Sequence, residues 1–171
     1  MVKKIINFIF IIVIFFFFKF KYNLINIEVG FSPGKTAENI ILKSINNSKK
    51  TIDIAAYSFT NKPIAILLNK AYNRGVKIRV VVDKKSNTGK YTIIKYLRKH
   101  NIKVKLNNKY SIMHNKFMII DNNSVETGSF NYTNNAIYRN AENVILIKNI
   151  YNITKIYKNE FNILWKESIK F

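Results

Sequence analysis

The run Ile112-Met113-His114-Asn115-Lys116-Phe117-Met118-Ile119-Ile120-Asp121, followed by Asn122-Asn123, reads as a buried strand closed by a turn. Its apolar, β-branched centre suits a strand covered on both faces, and Asp-Asn-Asn suits the chain reversal after it. Side chains two apart in a strand share a face, which places His114 and Lys116 on one side. The same parity joins Ser129 to Asn131 in Gly128-Ser129-Phe130-Asn131 if that segment is extended. Two pairs of polar groups then converge on one anion.

Working outward, strands are predicted at Ile27 to Phe31, Thr51 to Phe59, Val76 to Asp83, Lys103 to Leu106, Asn115 to Ile120, Ser124 to Thr127 and Glu142 to Ile147. Several are continuous apolar runs, as in a sheet covered on both faces. Helices fit between them. Pro63 suits a first helical turn, Ile64, Leu67, Leu68 and Ala71 form a stripe, and Arg74-Gly75 ends the helix. Others are predicted from Thr36 to Ser48, from Thr92 to His100, and from about Asn152 to Lys166 carrying Ile153, Ile156, Tyr157, Phe161 and Leu164. The fold class is α/β, a mixed sheet with helices on both faces in a single domain. Lys84 to Lys90 reads as a solvated loop that borders either solvent or the substrate groove.

An anion held by these groups points to phosphodiester chemistry. A nucleophile attacks phosphorus while fixed charge and hydrogen-bond donors take up charge on the non-bridging oxygens. His114 supplies a nucleophilic imidazole, and Glu142 is the candidate to orient it. Lys116 is a compact cation suited to a phosphate oxygen, and Ser129 and Asn131 add neutral donors. Taken singly, each residue has a plain structural explanation. Their joint spacing does not.

On these residues the chain resembles the phospholipase D superfamily, and within it the small bacterial endonucleases that carry a single H-x-K-x4-D motif. The resemblance runs from about Val29 to Trp165. It takes in Gly30-Phe31-Ser32-Pro33, Ala56-Tyr57-Ser58-Phe59-Thr60, Arg74-Gly75-Val76, Val82-Asp83, Asn87-Thr88-Gly89, Glu126 to Thr133 and Asn140-Ala141-Glu142-Asn143. It implies a catalytic set of His114, Lys116, Asp121 and Glu142: His114 as nucleophile, Glu142 orienting it, and Asp121 supporting the site or holding the turn. It implies phosphate binding by Lys116, Ser129 and Asn131, with no metal and no cofactor. The family mechanism uses two such histidines, one attacking and one acting as acid. The second histidine here, His100, sits at a helix C-terminus before Asn101, a suitable left-handed cap, and cannot supply a second motif. A homodimer with a composite site on a two-fold axis is therefore expected.

The net charge of +20 points to a polyanionic partner, nucleic acid or an anionic membrane surface, although only four of the 29 basic residues are Arg and the charge is spread along the chain. Without Cys, and with its two His in separate segments, the sequence shows no zinc or iron site. Lys3-Lys4 precede the apolar run Ile5 to Phe18, about 21 Å long as a helix against a hydrocarbon core of about 30 Å. That suits a secretory signal, but small residues for a cleavage site are missing before Gly30, so residues 1–25 read as a signal peptide or signal anchor with a short linker. The catalytic domain is then 26–171, exported and either periplasmic, secreted or held at a membrane through residues 5–18.

The expected activity is nonspecific endonuclease cleavage of DNA or RNA. The alternatives are phospholipid headgroup hydrolysis and a non-catalytic nucleic-acid-binding protein. Phe59, Phe130 and Tyr132 are weighed as base-stacking or core residues, and no exposed apolar stretch beyond the N-terminal segment can be picked out to serve a lipid.

Overall fold

The computed structural model describes residues 26–171; the segment from Ile5 to Phe18 and its linker lie outside them. Eight strands form one mixed sheet: β1 (Asn26–Ser32), β2 (Thr51–Ala56), β3 (Lys77–Asp83), β4 (Lys103–Asn107), β5 (Lys116–Ile120), β6 (Ser124–Gly128), β7 (Glu142–Lys148) and β8 (Ile169–Lys170). Their order is β1-β7-β6-β5-β2-β3-β4-β8. β2, β3 and β4 run parallel, and the remaining neighbours are antiparallel. The connecting helices are α1 (Thr36–Asn47), α2 (Lys62–Asn73), α3 (Ile94–Lys99), α4 (Asn134–Tyr138) and α5 (Tyr151–Glu167), with a 3-10 turn at Lys85–Asn87.

Alternation along the central strands feeds two cores. Ile54 of β2, Val80 of β3 and Met118 of β5 pack with Ile41 and Ile45 of α1, Leu68 of α2 and Leu97 of α3, all fully buried. Each such side chain contributes roughly 1.5–3 kcal/mol relative to exposure. On the other face Ala55, Val81, Phe117 and Ile119 meet Phe161 and Leu164 of α5. The Arg79 guanidinium lies over the Phe161 ring at 4.7 Å and grips Asp53 with two bonds of 2.7 and 2.8 Å, tying α5 to β2 and β3. Ile156 of α5 is 67% exposed, while Thr154 is buried.

The registers align Val81, Ala55, Phe117, Thr127, Ile145 and Val29 in one row on the α5 face. Helix α5 covers the first three. Beyond Thr127 the row opens to solvent, and Ile27, Val29 and Phe31 of β1 are 52%, 55% and 61% exposed. The structure thus corrects the sequence expectation that the domain exposes no apolar stretch. Period-two alternation in β1 put these residues on a face that no helix of the described residues reaches.

β2 was expected to run to Phe59 and instead ends at Ala56. There the Asn87 side chain replaces the ladder: its Nδ2 donates to the Tyr57 carbonyl at 2.6 Å, and its Oδ1 accepts from the Phe59 N–H at 3.0 Å. The pairings Ala56 with Lys116, Gly128 with Val144 and Ser32 with Glu142 gather the ends of these strands at one edge of the molecule. Lys116, Ser129 and Glu142 meet there.

Candidate active site

His114 precedes β5 in a connection held from below. Asp83, at the end of β3, accepts the Met113 N–H at 3.0 Å and the Ser86 N–H at 2.8 Å, and Met113 is buried. The next side chain, His114, is consequently turned out, and it is exposed. Its ring meets the edge of Tyr57 at 4.7 Å between centroids and 62° between planes. Neither ring nitrogen is hydrogen-bonded among the described residues. Lys116 is only 8% exposed. Its Nζ donates to the His114 carbonyl at 2.6 Å and lies 5.2 Å from the Tyr57 ring centroid. Burial pulls the Lys116 ammonium below the usual lysine range, and the Glu142 charge opposes that shift. Tyr57 therefore serves both motif residues, a part its sequence gives no sign of.

Ser129 donates to Glu142 Oε2 at 2.6 Å and accepts from the Asn143 N–H at 3.0 Å. Glu142 Oε1 accepts from Asn140 Nδ2 at 2.9 Å. Both carboxylate oxygens are thus engaged, and no hydrogen bond joins Glu142 to His114 within the chain. Such close packing depends on Gly128, because a Cβ there would stand 2.1 Å from the Asn143 carbonyl oxygen. Phe130 and Tyr132 turn into the main core, with Asn131 between them. Its Oδ1 is buried without a donor among the described residues. The open cleft at His114 and Lys116, about 450 Å³, is bordered by Thr127, Ile156 and Glu160.

The structure brings His114, Lys116, Ser129 and Glu142 to one end of the sheet, and Asn131 lies two residues beyond Ser129. It separates Asp121 from them. That residue lies at the other end of β5, where its carboxylate accepts the N–H groups of Lys49, Lys50 and Thr51 at 2.9, 2.6 and 2.9 Å. Asp121 takes a left-handed conformation, φ 52°, in the turn to β6. Its place among the catalytic residues gives way to a structural one. Phe59, Phe130 and Tyr132 are likewise core residues, at most 1% exposed, so none of them is free to stack on a base.

His100 caps α3 and Asn101 follows at φ 61°, the arrangement the sequence predicts. The Lys84 to Lys90 loop conceals Asn87, fully buried and holding the strand end beside Tyr57. Below the site, Glu126 is buried with Tyr132 as its donor at 2.7 Å. Desolvation raises this carboxyl to about 7, against the opposing pull of that hydrogen bond. Among the described residues no three His, Cys, Asp or Glu side chains cluster as a metal would require, and no helix is long and apolar enough to cross a membrane.

With this geometry established, comparison with known proteins is specific. Residues 41–165 match the model of the family described as cardiolipin synthase, PLD-like domain. The chain is 37% identical over 123 residues to the phospholipase D of Rickettsia prowazekii, covering 72% of this chain and 60% of that protein. It is 28% identical over 138 residues to the mitochondrial cardiolipin hydrolase of Homo sapiens, covering 81% and 54%. Among solved structures, Nuc, a phospholipase D family member from Salmonella typhimurium, superposes with a TM-score of 0.84 at 33% identity, covering 86% of this chain and 98% of that one. The chain thus spans less than two thirds of the length of those two sequence relatives and nearly all of Nuc, and by the family match and the shared fold it belongs to the phospholipase D superfamily.

Proposed function

We propose that this chain is a metal-independent phosphodiesterase that forms a phosphohistidine on His114, works as a homodimer, and cleaves DNA and RNA as an endonuclease with little sequence preference. The observation that carries this reading is the state of His114. It is exposed on an aromatic support beside a buried lysine, with both ring nitrogens unengaged. A core histidine would be hydrogen-bonded.

In the proposed cycle a ring nitrogen of His114 attacks phosphorus, a P–O bond breaks, and the leaving oxygen takes a proton from the partner's His114. That histidine then removes a proton from water, which attacks phosphorus and frees His114. Lys116 and the Asn131 amide N–H stabilise the charge on the non-bridging oxygens, and Ser129 joins them when its hydroxyl turns from Glu142 to the phosphate.

The uncovered row through Thr127, Ile145 and Val29 supports the dimer. It adjoins the His114 cleft on the same sheet face, so a second copy seated there under two-fold symmetry carries its own His114 toward the first. The same stripe favours a second reading, phospholipid hydrolysis with β1 against a bilayer. In either case residues 5–18 export the domain or hold it at a membrane.

The test compares initial rates on plasmid DNA, RNA and vesicles of anionic or zwitterionic lipid, with excess chelator, for the full chain and for residues 26–171. We expect chelator-resistant nucleic-acid cleavage by a species that sediments as a dimer, and loss of both the dimer and the activity in Val29→Glu. Rapid lipid hydrolysis with negligible DNA cleavage selects the second reading. Full activity as a monomer, or activity that chelator removes and a divalent ion restores, refutes the scheme.

A further inference from the structure

A second cleft in the described residues is larger than the one at His114. About 1110 Å³ lies between the first turn of α2, the approach to α3 and helix α4. Two segments lead to it from the catalytic end. Residues 57–60 and 129–133 run side by side, joined by a parallel bridge between Phe59 and Tyr132 and by Thr60 N–H donating to the Tyr132 carbonyl at 3.0 Å. Tyr57, on His114, begins the first segment, and Ser58 and Thr60 line the cleft. Ser129 and Asn131 lie on the second, and Thr133 lines the cleft. From Tyr57 to Thr60 is about 10 Å of extended chain at most. Asn61 makes the floor rigid: it caps α2 by accepting from Ile64 N–H at 2.8 Å and donates to Asn134 of α4 at 2.7 Å.

The lining has a definite chemistry. Lys62 and Lys90 supply positive charge, no acidic side chain borders the cleft, and Ser58, Thr60, Thr92 and Thr133 present hydroxyls. Two aromatic rings stand at it unburied, Tyr91 at 79% exposure and Tyr138 at 69%. Cations for phosphates beside exposed rings for π-faces make the pattern by which an unpaired nucleic-acid strand is held without reading its sequence. An acyl chain gains nothing from the two lysines. A duplex keeps its bases stacked inside and offers none to the tyrosines.

We propose that this cleft is a track for a single nucleic-acid strand, engaging nucleotides beside the scissile phosphate. The proposal rests on the phosphodiesterase reading of His114 and names its substrate class. Binding in the track falls steeply with salt, because the lysines displace condensed counterions from the strand.

The test uses the full chain and three probes: a labelled single-stranded 16-mer, the same sequence as a duplex, and bis(p-nitrophenyl) phosphate, which is too small to reach the cleft. The variants are Lys62→Gln with Lys90→Gln, and Tyr91→Ala with Tyr138→Ala, all exposed positions outside the catalytic set. Each double variant is expected to lower kcat/KM on the single strand by about tenfold or more and to weaken its binding, measured by anisotropy, to a similar degree. Turnover of the small diester should stay within about twofold, and the duplex should bind more weakly than the single strand. Unchanged binding of the 16-mer in both variants overturns the track, as does an equal loss on the small diester. Variants that lose hydrolysis of anionic vesicles but keep the 16-mer reassign the cleft to lipid. Should the wild-type chain turn over neither diester, the phosphodiesterase reading fails, and the anisotropy arm still decides whether the cleft holds a strand.

Discussion

At its amino end β5 is led in by His114 and begins with Lys116; its carboxyl end runs into Asp121. One motif supplies both ends, and the fold treats them in opposite ways. Asp121 accepts three backbone N–H groups and clasps the α1–β2 connection to the β5–β6 turn. At the other end His114 is exposed and has no hydrogen bond from its ring. A polar group that serves folding spends its hydrogen-bonding capacity inside the chain, whereas one that serves chemistry keeps it for another molecule. Glu142 falls between the two, with Ser129 and Asn140 as its donors.

The sharpest attack on this contrast is His114→Asn. Removing the proposed nucleophile is expected to lower turnover of any diester at least about a thousandfold and to change stability by less than about 0.5 kcal/mol. Retention of a tenth of the activity would refute the assignment. Asp121→Ala should do the reverse, costing about 2–3 kcal/mol in chemical denaturation, because three N–H groups lose their acceptor and a left-handed turn loses a residue suited to it. Its turnover per folded molecule should stay within about twofold. A stable but inactive Asp121→Ala protein would return Asp121 to the catalytic set.

Glu126 lies in β6 between the two ends, with a single donor. Its carboxyl is raised to about 7, so across the window from the usual carboxylate range up to about pH 7 the folded chain keeps a proton that the unfolded chain releases. Stability from this residue is then complete at acid pH and falls as pH rises through the window, by up to about 3 kcal/mol. Glu126→Gln preserves an acceptor for Tyr132 and should flatten that dependence, which denaturation midpoints from pH 5 to 8 would show. Equal slopes in the two proteins would mean that Glu126 is ionised in the core throughout. The smallest effect is expected at Tyr57. Tyr57→Ala should lower kcat about tenfold by freeing the imidazole, and Tyr57→Phe should stay close to wild type, since the contacts seen are made by the ring.

What the sequence disclosed follows the range of each interaction. The strands through Ile54, Val80 and Met118 were legible because burial on both faces leaves a continuous apolar run, and the end of α3 was legible because Asn101 suits a left-handed cap. Helix α4 was missed because Asn134-Asn135-Ala136-Ile137-Tyr138 is short and polar. Its one local signal was Thr133, whose hydroxyl accepts from Ala136 N–H at 3.2 Å. The two-residue β8 left no pattern at all. Within the site, His114, Lys116, Ser129 and Glu142 were named from spacing. Tyr57 and Asn87 could not be, since a ring against a distant histidine and an amide that completes a strand end are tertiary facts without a local period. Asn87 resembled any polar loop residue until its burial was seen.

Gly128 bears on how this site can change over generations of mutation. A single methyl group at that position would drive into the Asn143 carbonyl and part β6 from β7 where Ser129 and Glu142 meet. Selection for new substrates can then explore the rims of both clefts, where Tyr91, Tyr138 and Ile156 are exposed. Position 128 admits no side chain without parting those strands, so a mutational library built on this domain would find an intolerant site at a residue with no chemistry of its own.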